Sequence, residues 1–295
     1  MRQERLLTQR AAVVVGGTRG IGRAVAELLA ECGAGVVVNG RDPEAAGETA
    51  AAITRAGGRA VAHAGSPAEE AVADAVIQTC VDTFGRLDIL VNCAGIAGRH
   101  GASVLDTTTA EFADFLDAHL WTVFQTCRAA APRMARQHSG AIVNTSSFAF
   151  LGDYGGTGYP AGKGAVNAFT MAIAGQLKPH NVRANVVCPG AKTRLSSGPE
   201  YEAHVADLHR RGLLDDVTTR AALDAPPPEY TASVYAYLAS DMAADITGQI
   251  FIAAGNYVGR FERPRQTVIG YRDHLDSPPW SLFELDTLIK KERSR

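Results

Sequence analysis

Two side chains that could exchange a proton during a redox step lie four residues apart, at Tyr159 and Lys163. Many helices contain a Tyr-x-x-x-Lys pair by chance, so the pair alone carries little information. Here it follows a serine pair, Ser146-Ser147, and a glycine-rich turn far upstream, Gly16–Gly22. In this order the residues indicate a hydride-transfer site, in which the tyrosine gives or takes the hydroxyl proton.

The glycine-rich turn begins where an apolar run ends. Gly16 follows Val13–Val15 directly, and Gly20 and Gly22 come behind it. Gly16 permits a tight turn, Gly20 lets the backbone approach a pyrophosphate, and Gly22 lets the following helix pack closely on the strand. The free N–H groups and the positive dipole end of that helix would then face the phosphates. A purely structural turn is the alternative, since a glycine triplet alone is weak evidence.

Charges near the end of the second predicted strand bear on the choice between NAD and NADP. An acidic side chain there would bind the free 2′-hydroxyl of the adenine ribose, but the sequence reads Val38-Asn39-Gly40-Arg41-Asp42. Arg41, together with Arg19 from the glycine turn, favours a 2′-phosphate through forked, charge-assisted hydrogen bonds. We therefore expect NADP(H) in preference to NAD(H). The alternative is a solvated Arg41 beside an Asp42 that only caps the next helix.

Short β-branched runs alternate with alanine-rich helical stretches along the chain. Strands are predicted at Ala11–Val15, Gly35–Asn39, Arg59–His63, Leu87–Asn92, Ala141–Thr145, Arg183–Val187 and, last, Gln249–Ile252. Helices are predicted from about Ile21 to Glu31, after an Asp42 N-cap, and after Pro67. The βαβα alternation predicts an α/β fold: a single Rossmann-type, doubly wound parallel sheet with helices on both faces.

Two segments fall outside this alternation. Residues 195–230 are long, charged and Pro-rich near their end, and they follow the sixth strand, where such sheets bind ligands. We expect them to form a lid within a domain that spans residues 1–255. Residues 256–295 form a C-terminal extension, in which Pro278-Pro279-Trp280 and the apolar pattern after it predict a helix. The extension is expected to pack on the domain or on a neighbouring subunit.

Composition and charge argue against several classes of protein. Of the 295 residues, 46% are hydrophobic and 20% are charged, as in an ordinary globular protein. A net charge of −2 without a basic block argues against a nucleic-acid partner. The five cysteines lack metal-ligand spacing, so we expect no metal site and reduced thiols in the cytoplasm. Neither a signal peptide nor an apolar run of about 18 residues is present, which predicts no membrane partner.

These residues resemble the short-chain dehydrogenase/reductase family over residues 8–256, and bacterial ketoreductases in particular. The matching marks are the glycine turn, Asn92-Cys93-Ala94-Gly95, Ser147, the Tyr159 and Lys163 pair, and Pro189-Gly190 followed by Thr193. Each motif is weak alone, whereas their order and spacing together are specific.

The resemblance implies a role for each of these residues. Tyr159 would be the general acid in ketone reduction, and Lys163 would lower its pKa from about 10 and hold the nicotinamide ribose. Ser147 would donate a hydrogen bond to the substrate carbonyl oxygen. The nucleotide would be held by Gly16, Thr18, Arg19, Gly20, Ile21, Gly22, Arg41, Asn92, Ala94, Gly95, Tyr159, Lys163, Pro189, Gly190 and Thr193.

The largest departure from the family pattern is His119. The family commonly has Asn at this position, where it supports a water-linked proton relay to the lysine; here the sequence is Ala118-His119-Leu120. Three interpretations stay open: the imidazole titrates near neutrality and relays protons, it is a satisfied polar bystander, or the relay is weakened. We include His119 with Ser147, Tyr159 and Lys163 in the expected catalytic set.

The loop between Ser147 and Tyr159 also departs from the pattern. It is one residue shorter than usual in the family, which could shift Ser147 slightly. Tyr154, within this loop, is set aside as a competing catalytic tyrosine because Gly158, rather than a lysine, lies four residues after it.

The expected function is therefore NADPH-dependent reduction of a small-molecule ketone to a secondary alcohol, in biosynthesis or secondary metabolism. One alternative is an NAD(P)-dependent secondary alcohol or steroid-type dehydrogenase that works in the oxidative direction; the absence of an acidic residue at positions 39–41 disfavours it. Another is a non-catalytic, cofactor-binding regulator, which the presence of both Tyr159 and Lys163 disfavours. The resemblance also implies a dimer or tetramer formed through the helices around residues 110–136 and 160–178.

Overall fold

Strands and helices alternate along the chain in the computed structural model, which describes residues 5–96, 102–255 and 257–293. The strands are β1 (Ala11–Val15), β2 (Gly35–Gly40), β3 (Arg59–Ala64), β4 (Ile89–Asn92), β5 (Gly140–Thr145), β6 (Val182–Gly190), β7 (Ile250–Ala254) and β8 (Tyr257–Phe261). The helices are α1 (Gly20–Glu31), α2 (Pro43–Arg55), α3 (Glu70–Phe84), α4 (Thr109–Leu116), α5 (Thr122–Gln137), α6 (Gly158–Leu177), α7 (Pro199–Arg210), α8 (Asp216–Leu223), α9 (Glu229–Ala239) and α10 (Leu282–Arg293).

The strands form one sheet in the order β3-β2-β1-β4-β5-β6-β7-β8. Every neighbouring pair from β3 to β7 is parallel, which confirms the predicted doubly wound fold. The chain reverses direction across the sheet between β1 and β4. In such sheets ligands bind beyond the carboxyl ends of the strands at this switch point.

One strand was missed by the sequence analysis. We expected Gln249–Ile252 to be the last strand, but Tyr257–Phe261 turns back and pairs with β7 as an antiparallel edge strand. The turn between them includes Gly255, whose φ is +63°. This reversal was overlooked because the segment is short, and because the chain after residue 255 was interpreted as a separate tail.

Burial on both faces of the sheet explains why its central strand is an unbroken apolar run. Ala12 and Val14 pack on one face with α1 and α9. Ala11, Val13 and Val15 pack on the other face with α3, α5 and α6. All five residues of β1 have no exposed surface, and each buried valine contributes about 1.5–3 kcal/mol. The strand thus holds the glycine turn that follows it in a fixed place.

The predicted N-cap of α2 is confirmed. The Asp42 carboxylate accepts hydrogen bonds from the backbone N–H groups of Glu44 at 3.0 Å and Ala45 at 3.3 Å. Such a cap contributes about 1 kcal/mol of helix stability.

A second compact unit begins at Glu262, after the first ends at Phe261. This boundary lies beyond the expected residue 255 because β8 belongs to the sheet. Within the second unit, the Arg272 guanidinium lies 3.9 Å from the centre of the Trp280 ring and forms an ion pair with Glu284 at 2.6 Å. The predicted helix is present as α10, and the surface on which the extension packs stays a prediction.

A search of the described residues for a membrane-spanning segment found no helix with the necessary length and apolar character.

Candidate active site

The turn between β1 and α1 has a backbone that only glycine adopts easily. Gly16 has a φ of +74° and Gly20 a φ of +52°, values that L side chains rarely tolerate. A Cβ atom on Gly16 would lie 2.7 Å from the backbone nitrogen of Ala94, and one on Gly22 would overlap the carbonyl oxygen of Gly16. The turn is therefore drawn tightly against the segment that follows β4.

The amino end of α1 leaves its N–H groups free of side-chain partners. Arg19 is the N-cap residue but makes no side-chain cap, and no acidic residue lies in the first turn of the helix. Thr18 packs its methyl group against Gly40, and Ile21 packs on the core behind the turn. Unpaired N–H groups and a positive dipole end suit an anion, so a nucleotide pyrophosphate fits this position.

The carboxyl end of β2 is followed by an exposed arginine, Arg41, and by Asp42, whose carboxylate caps α2. Asn39 occupies the place where an acidic residue would meet a ribose, but it is buried, and its amide nitrogen donates to the carbonyl oxygens of His63 at 3.0 Å and Gly65 at 3.3 Å. Arg19 and Arg41 are exposed, and neither forms an ion pair with any described residue. Both guanidinium groups are thus available to a 2′-phosphate.

The segment after β4 links the glycine turn to the catalytic side chains. Ala94 lies against Gly16, and Gly95 lies so close to His119 that a Cβ atom there would be 2.7 Å from its Cε1 atom. Asn92 departs from its expected role in nucleotide binding. Its side chain is buried, donating to Asn144 at 2.9 Å and accepting from Thr126 at 2.9 Å, so it joins β4 to β5 and α5 instead.

The end of β6 and the residues after it lie on the other side of the glycine turn. Pro189 and Gly190 pair with β7, and a Cβ atom on Gly190 would lie 2.7 Å from that of Ala254. Thr193 is 3.5 Å from the Cβ position of Gly20, and its hydroxyl contacts that of Ser196 at 3.1 Å. Its expected contact with the nucleotide stays a prediction.

Ser147, Tyr159 and Lys163 come together at the carboxyl end of β5. The Ser147 hydroxyl is among the groups that favour the ionised form of Tyr159. The Nζ atom of Lys163 lies 5.7 Å from the centre of the Tyr159 ring and donates to the carbonyl oxygen of Thr145 at 2.9 Å. Ser146 faces the core instead and donates to the carbonyl oxygen of Lys163 at 3.1 Å. Ser147 is therefore the serine that faces the site, despite the short loop.

The overlooked strand β8 packs against the loop that carries Ser147. Phe261, its last residue, contacts the rings of Phe148 and Phe150 at centroid distances of 5.8 and 4.9 Å. These two phenylalanines belong to the 3-10 turn Phe148–Leu151 that follows Ser147 directly. The edge strand thus supports one member of the site from outside the family's usual motifs.

Burial sets the protonation of the tyrosine and the lysine. It raises the pKa of Tyr159 above its ordinary value, and the Ser147 hydroxyl only partly offsets this rise. Burial also lowers the pKa of Lys163 to about 8. The expectation that Lys163 favours the phenolate of Tyr159 stays a prediction; the net rise in pKa shows that desolvation of the phenol outweighs its neighbours.

His119 lies in a π-helical turn, Asp117–Trp121, between α4 and α5. Sequence analysis predicted a helix through this region, and the wider turn interrupts its regular hydrogen bonding, with Thr122 donating to the Asp117 carbonyl at 3.1 Å. Such insertions are frequent at functional sites. The turn brings the His119 ring edge-on to the Tyr159 ring, with centroids 5.0 Å apart.

The imidazole of His119 is neutral, contrary to the interpretation in which it titrates near neutrality. Burial, with a smaller contribution from the Lys163 charge, lowers its pKa to about 2. Its Nε2 atom lies 3.1 Å from the Ile96 carbonyl oxygen, which can only accept, so Nε2 carries the proton. Nδ1 is then an acceptor, with no partner among the described residues. It lies near Gly95, as does the Lys163 ammonium.

Tyr154, set aside by the sequence analysis, also belongs to the site. Its ring packs with Tyr201 against the apolar cluster of Val205, Leu208 and Leu214. Burial raises the pKa of Tyr154, and the Ser147 hydroxyl partly offsets the rise. The available signal was the run Gly152-Asp153-Tyr154-Gly155-Gly156, since glycines on both sides of a tyrosine indicate a sharply turned loop. All three glycines have positive φ values, between 70° and 94°.

Residues 195–230 fold into α7 and α8, followed by the Pro-rich entry to α9. Val205, Leu208 and Leu214 form a small buried cluster on the inner side of this segment. Arg210 and Arg211 are exposed, and both are paired with Asp207, at 2.7 and 3.5 Å. The role of the segment as a lid stays a prediction.

Comparison with known proteins relates the whole arrangement to one family. The family described as short chain dehydrogenase matches residues 10–197. The short-chain reductase protein NovJ of Streptomyces niveus is 42% identical, over 61% of this chain and 68% of that protein. The 3-oxoacyl-(acyl-carrier-protein) reductase of a Synechocystis species is 34% identical, over 85% of this chain and 98% of that protein. A crystal structure of a short chain dehydrogenase from Mycobacterium avium has a TM-score of 0.80 and 30% identity, covering 97% of this chain and 95% of its own.

Proposed function

We propose that this chain, which belongs to the short-chain dehydrogenase family, reduces a ketone to a secondary alcohol with NADPH as the hydride donor. The chain is an oxidoreductase that acts on CH–OH or C=O groups, as its relatives do. The observation that carries the finer proposal is the buried Nζ atom of Lys163, which lies 5.7 Å from the centre of the Tyr159 ring. Two donors for a carbonyl oxygen and one nearby positive charge are what ketone reduction requires.

The protonation of Tyr159 favours the reductive direction. Because burial raises its pKa, the phenol is protonated at neutral pH and can give a proton but not take one. When bound, NADPH supplies the hydride to the carbonyl carbon. Tyr159 donates its proton to the carbonyl oxygen, while Ser147 donates a hydrogen bond to the same oxygen as negative charge develops there.

Lys163 has two roles in the proposal. With a pKa of about 8, it is mostly protonated at pH 7, so its ammonium stabilises the phenolate that proton transfer leaves on Tyr159. Its remaining N–H donors would hold the nicotinamide ribose. The bond from Nζ to the Thr145 carbonyl oxygen, 2.9 Å long, fixes the side chain for both roles.

His119 completes the proposed site as a neutral hydrogen-bond acceptor rather than as a titrating relay. Its protonated Nε2 donates to the Ile96 carbonyl oxygen, so the Nδ1 lone pair lies on the side of the ring where Lys163 is found. A water bound to Lys163 can donate to that lone pair. In this way an imidazole serves the purpose that an asparagine serves in the family.

NADPH is favoured over NADH by the charges around the expected ribose. Arg19 and Arg41 are exposed and unpaired within the described part of the chain, and Asn39 is turned into the sheet. The carboxylate that follows β2, that of Asp42, is engaged in capping α2 through the N–H groups of Glu44 and Ala45. Guanidinium groups bind a 2′-phosphate through paired hydrogen bonds.

The proposal is tested by titrating the purified protein with NADPH and NADH, following fluorescence, and then offering a panel of ketones with the tighter nucleotide. Tighter binding of NADPH and its oxidation by a ketone are expected. Tight binding without turnover on a wide panel would remove the ketoreductase proposal and leave a cofactor-binding regulator. Preference for NADH would overturn the assignment of Arg19 and Arg41.

We further propose that the chain forms a dimer or tetramer and acts in the cytoplasm. Trp121 is 47% exposed and packs on Phe124, which in turn packs edge-on to Phe169 of α6. An exposed aromatic surface on α5 and α6 fits an interface formed by these helices. The five cysteines are all free, which fits a reducing compartment. Light scattering tests the assembly, and a monomer would contradict it.

A further inference from the structure

A tyrosine hydroxyl lies in the apolar core beneath the candidate site. Tyr235, on α9, is the largest fully buried side chain among the described residues. It packs in the apolar cluster that α1 and α9 form with one face of the sheet. A phenylalanine would fill the same space without a polar group to bury. Since an unpaired buried hydroxyl is costly, the hydrogen bond that it makes decides what it contributes.

The partner of this hydroxyl is Thr145, the last residue of β5. The two hydroxyl oxygens are 2.9 Å apart. The Thr145 hydroxyl also donates to the Sγ atom of Cys93 at 3.4 Å. Because a hydroxyl has one proton to donate, and that of Thr145 is directed at the sulfur, Tyr235 is the donor to Thr145. Burial keeps that proton in place, since it raises the pKa of Tyr235 well above its ordinary value.

Thr145 connects this contact in the core to Lys163. Its backbone carbonyl oxygen accepts from the Lys163 Nζ atom at 2.9 Å, and the next residue, Ser146, donates to the Lys163 carbonyl oxygen at 3.1 Å. The sheet holds Thr145 on one side only, because it pairs with Val187 of β6 whereas the pairing of β5 with β4 ends at Asn144. The side chain of Thr145 therefore supplies a restraint that the sheet does not.

Helix α9 is itself fixed to the same end of the sheet. Thr231 lies one turn before Tyr235 and has no exposed surface. Its hydroxyl contacts the carbonyl oxygens of Ala253 at 3.3 Å and Gly190 at 3.4 Å. Residues four apart share one face of a helix, so the two hydroxyls tie α9 to the carboxyl ends of three neighbouring strands, β5, β6 and β7.

We propose that Tyr235 is a positioning residue, whose hydroxyl holds Thr145 and thereby the carbonyl oxygen to which Lys163 donates. This inference rests on the proposed ketone reduction and adds a residue to it. Lys163 has to face both Tyr159 and the nucleotide ribose in that proposal, so a displaced Thr145 carbonyl would turn its ammonium away from them. Tyr235, with no exposed surface, acts on turnover without contacting substrate or nucleotide.

The test is a double-mutant cycle with Tyr235→Phe and Thr145→Val, using NADPH and the β-keto ester ethyl 3-oxobutanoate as the probe. Each substitution removes a hydroxyl and nearly keeps the shape of the side chain. We expect each to lower kcat roughly fivefold, with the KM for the ketone unchanged. The double variant should lose no more than either single variant, because both act through the same contact. Thr145→Ser, which keeps the hydroxyl, should lose less than Thr145→Val.

Tyr237→Phe is the matched control, since it makes the same change at an exposed position of the same helix. It should leave kcat unchanged. Urea unfolding shows which variants are folded under the assay conditions. If Tyr235→Phe does not fold, the two Thr145 variants decide the question from the other side of the contact, and an equal kcat in Thr145→Val and Thr145→Ser would overturn the inference.

Two outcomes of the cycle would also overturn it. Losses that multiply in the double variant would show that the two hydroxyls act separately, as expected if Tyr235 only supports the fold. An unchanged kcat in Tyr235→Phe would remove the positioning role while leaving the proposed function intact. A wild-type protein that oxidises NADPH with no ketone would remove the proposed function and this inference together.

Discussion

Replacing Lys163 by methionine should make the protein more stable as the pH falls, relative to the wild type. Lys163 is 4% exposed, and burial lowers its pKa from 10.5 to about 8. Each pKa unit corresponds to about 1.4 kcal/mol, so keeping the ammonium buried costs the folded protein about 3 kcal/mol at pH 7. Methionine fills a similar volume without the charge.

The sign of the pH dependence follows from linkage. Between about pH 8 and pH 10.5 the unfolded chain holds the Lys163 proton and the folded chain has lost it. The unfolded state binds more protons in this window, so wild-type stability rises with pH there, relative to the variant. The burial cost that Lys163→Met removes should therefore be full below pH 8 and vanish near pH 10.5. The lost bond to the Thr145 carbonyl oxygen offsets the advantage by about 1 kcal/mol at every pH and leaves the slope unchanged.

The assay is urea unfolding of both proteins without nucleotide, at steps from pH 7 to pH 10. Other groups titrate equally in both, so the difference between their free energies of unfolding isolates Lys163. Lys178→Met is the control, since Lys178 is exposed at the end of α6 and should show no such slope. A difference for Lys163→Met that does not change with pH would refute the reasoning, because the burial cost is present only while the lysine is charged.

Three further predictions concern turnover and binding. Tyr159→Phe should lower kcat by roughly 10²–10⁴ by removing the general acid, while the Kd for NADPH stays within a few-fold; an unchanged kcat would exclude Tyr159 as the acid. Arg41→Ala should weaken NADPH binding about tenfold or more through a lost charge-assisted hydrogen bond and leave NADH binding unchanged; equal losses by titration would contradict the 2′-phosphate assignment. His119→Asn should retain turnover, whereas His119→Ala should lower kcat roughly tenfold. Neither substitution should change the shape of the pH–rate profile near pH 6.5, because His119 is neutral there.

The parallel sheet could be predicted because its signal is local. The central strands β1, β2 and β4 are mostly apolar and buried along their whole length, as Val13–Val15 illustrates. The glycine turn and the cap of α2 are each encoded by a few adjacent residues. β8 could not be recognised in this way. Its residues Tyr257 and Val258 are about three-fifths exposed, so the strand exists through pairing with β7 rather than through burial.

The sequence indicated which residues form the candidate site, but it did not indicate their pKa values or their burial. Ser147, Tyr159 and Lys163 were identified from order and spacing. The raised pKa of Tyr159, the neutral His119 and the inward-facing Asn92 all depend on how deeply the fold buries each group. Burial is a property of the assembled layers, so spacing along the chain does not reveal it. Tyr154 was missed for the same reason, since its contacts are set by a loop.

The inward turn of Asn39 constrains any redesign of this protein toward NADH. An aspartate that replaced Asn39 would stand one residue before the end of β2. Here the Asn39 side chain already donates to two carbonyl oxygens at the end of β3 and just beyond it. A carboxylate in that position would face two acceptors and be repelled by both, loosening the β2–β3 edge before it reached any ribose. Replacing Arg41 is the better route to NADH binding, because its side chain is exposed and its replacement leaves the sheet untouched.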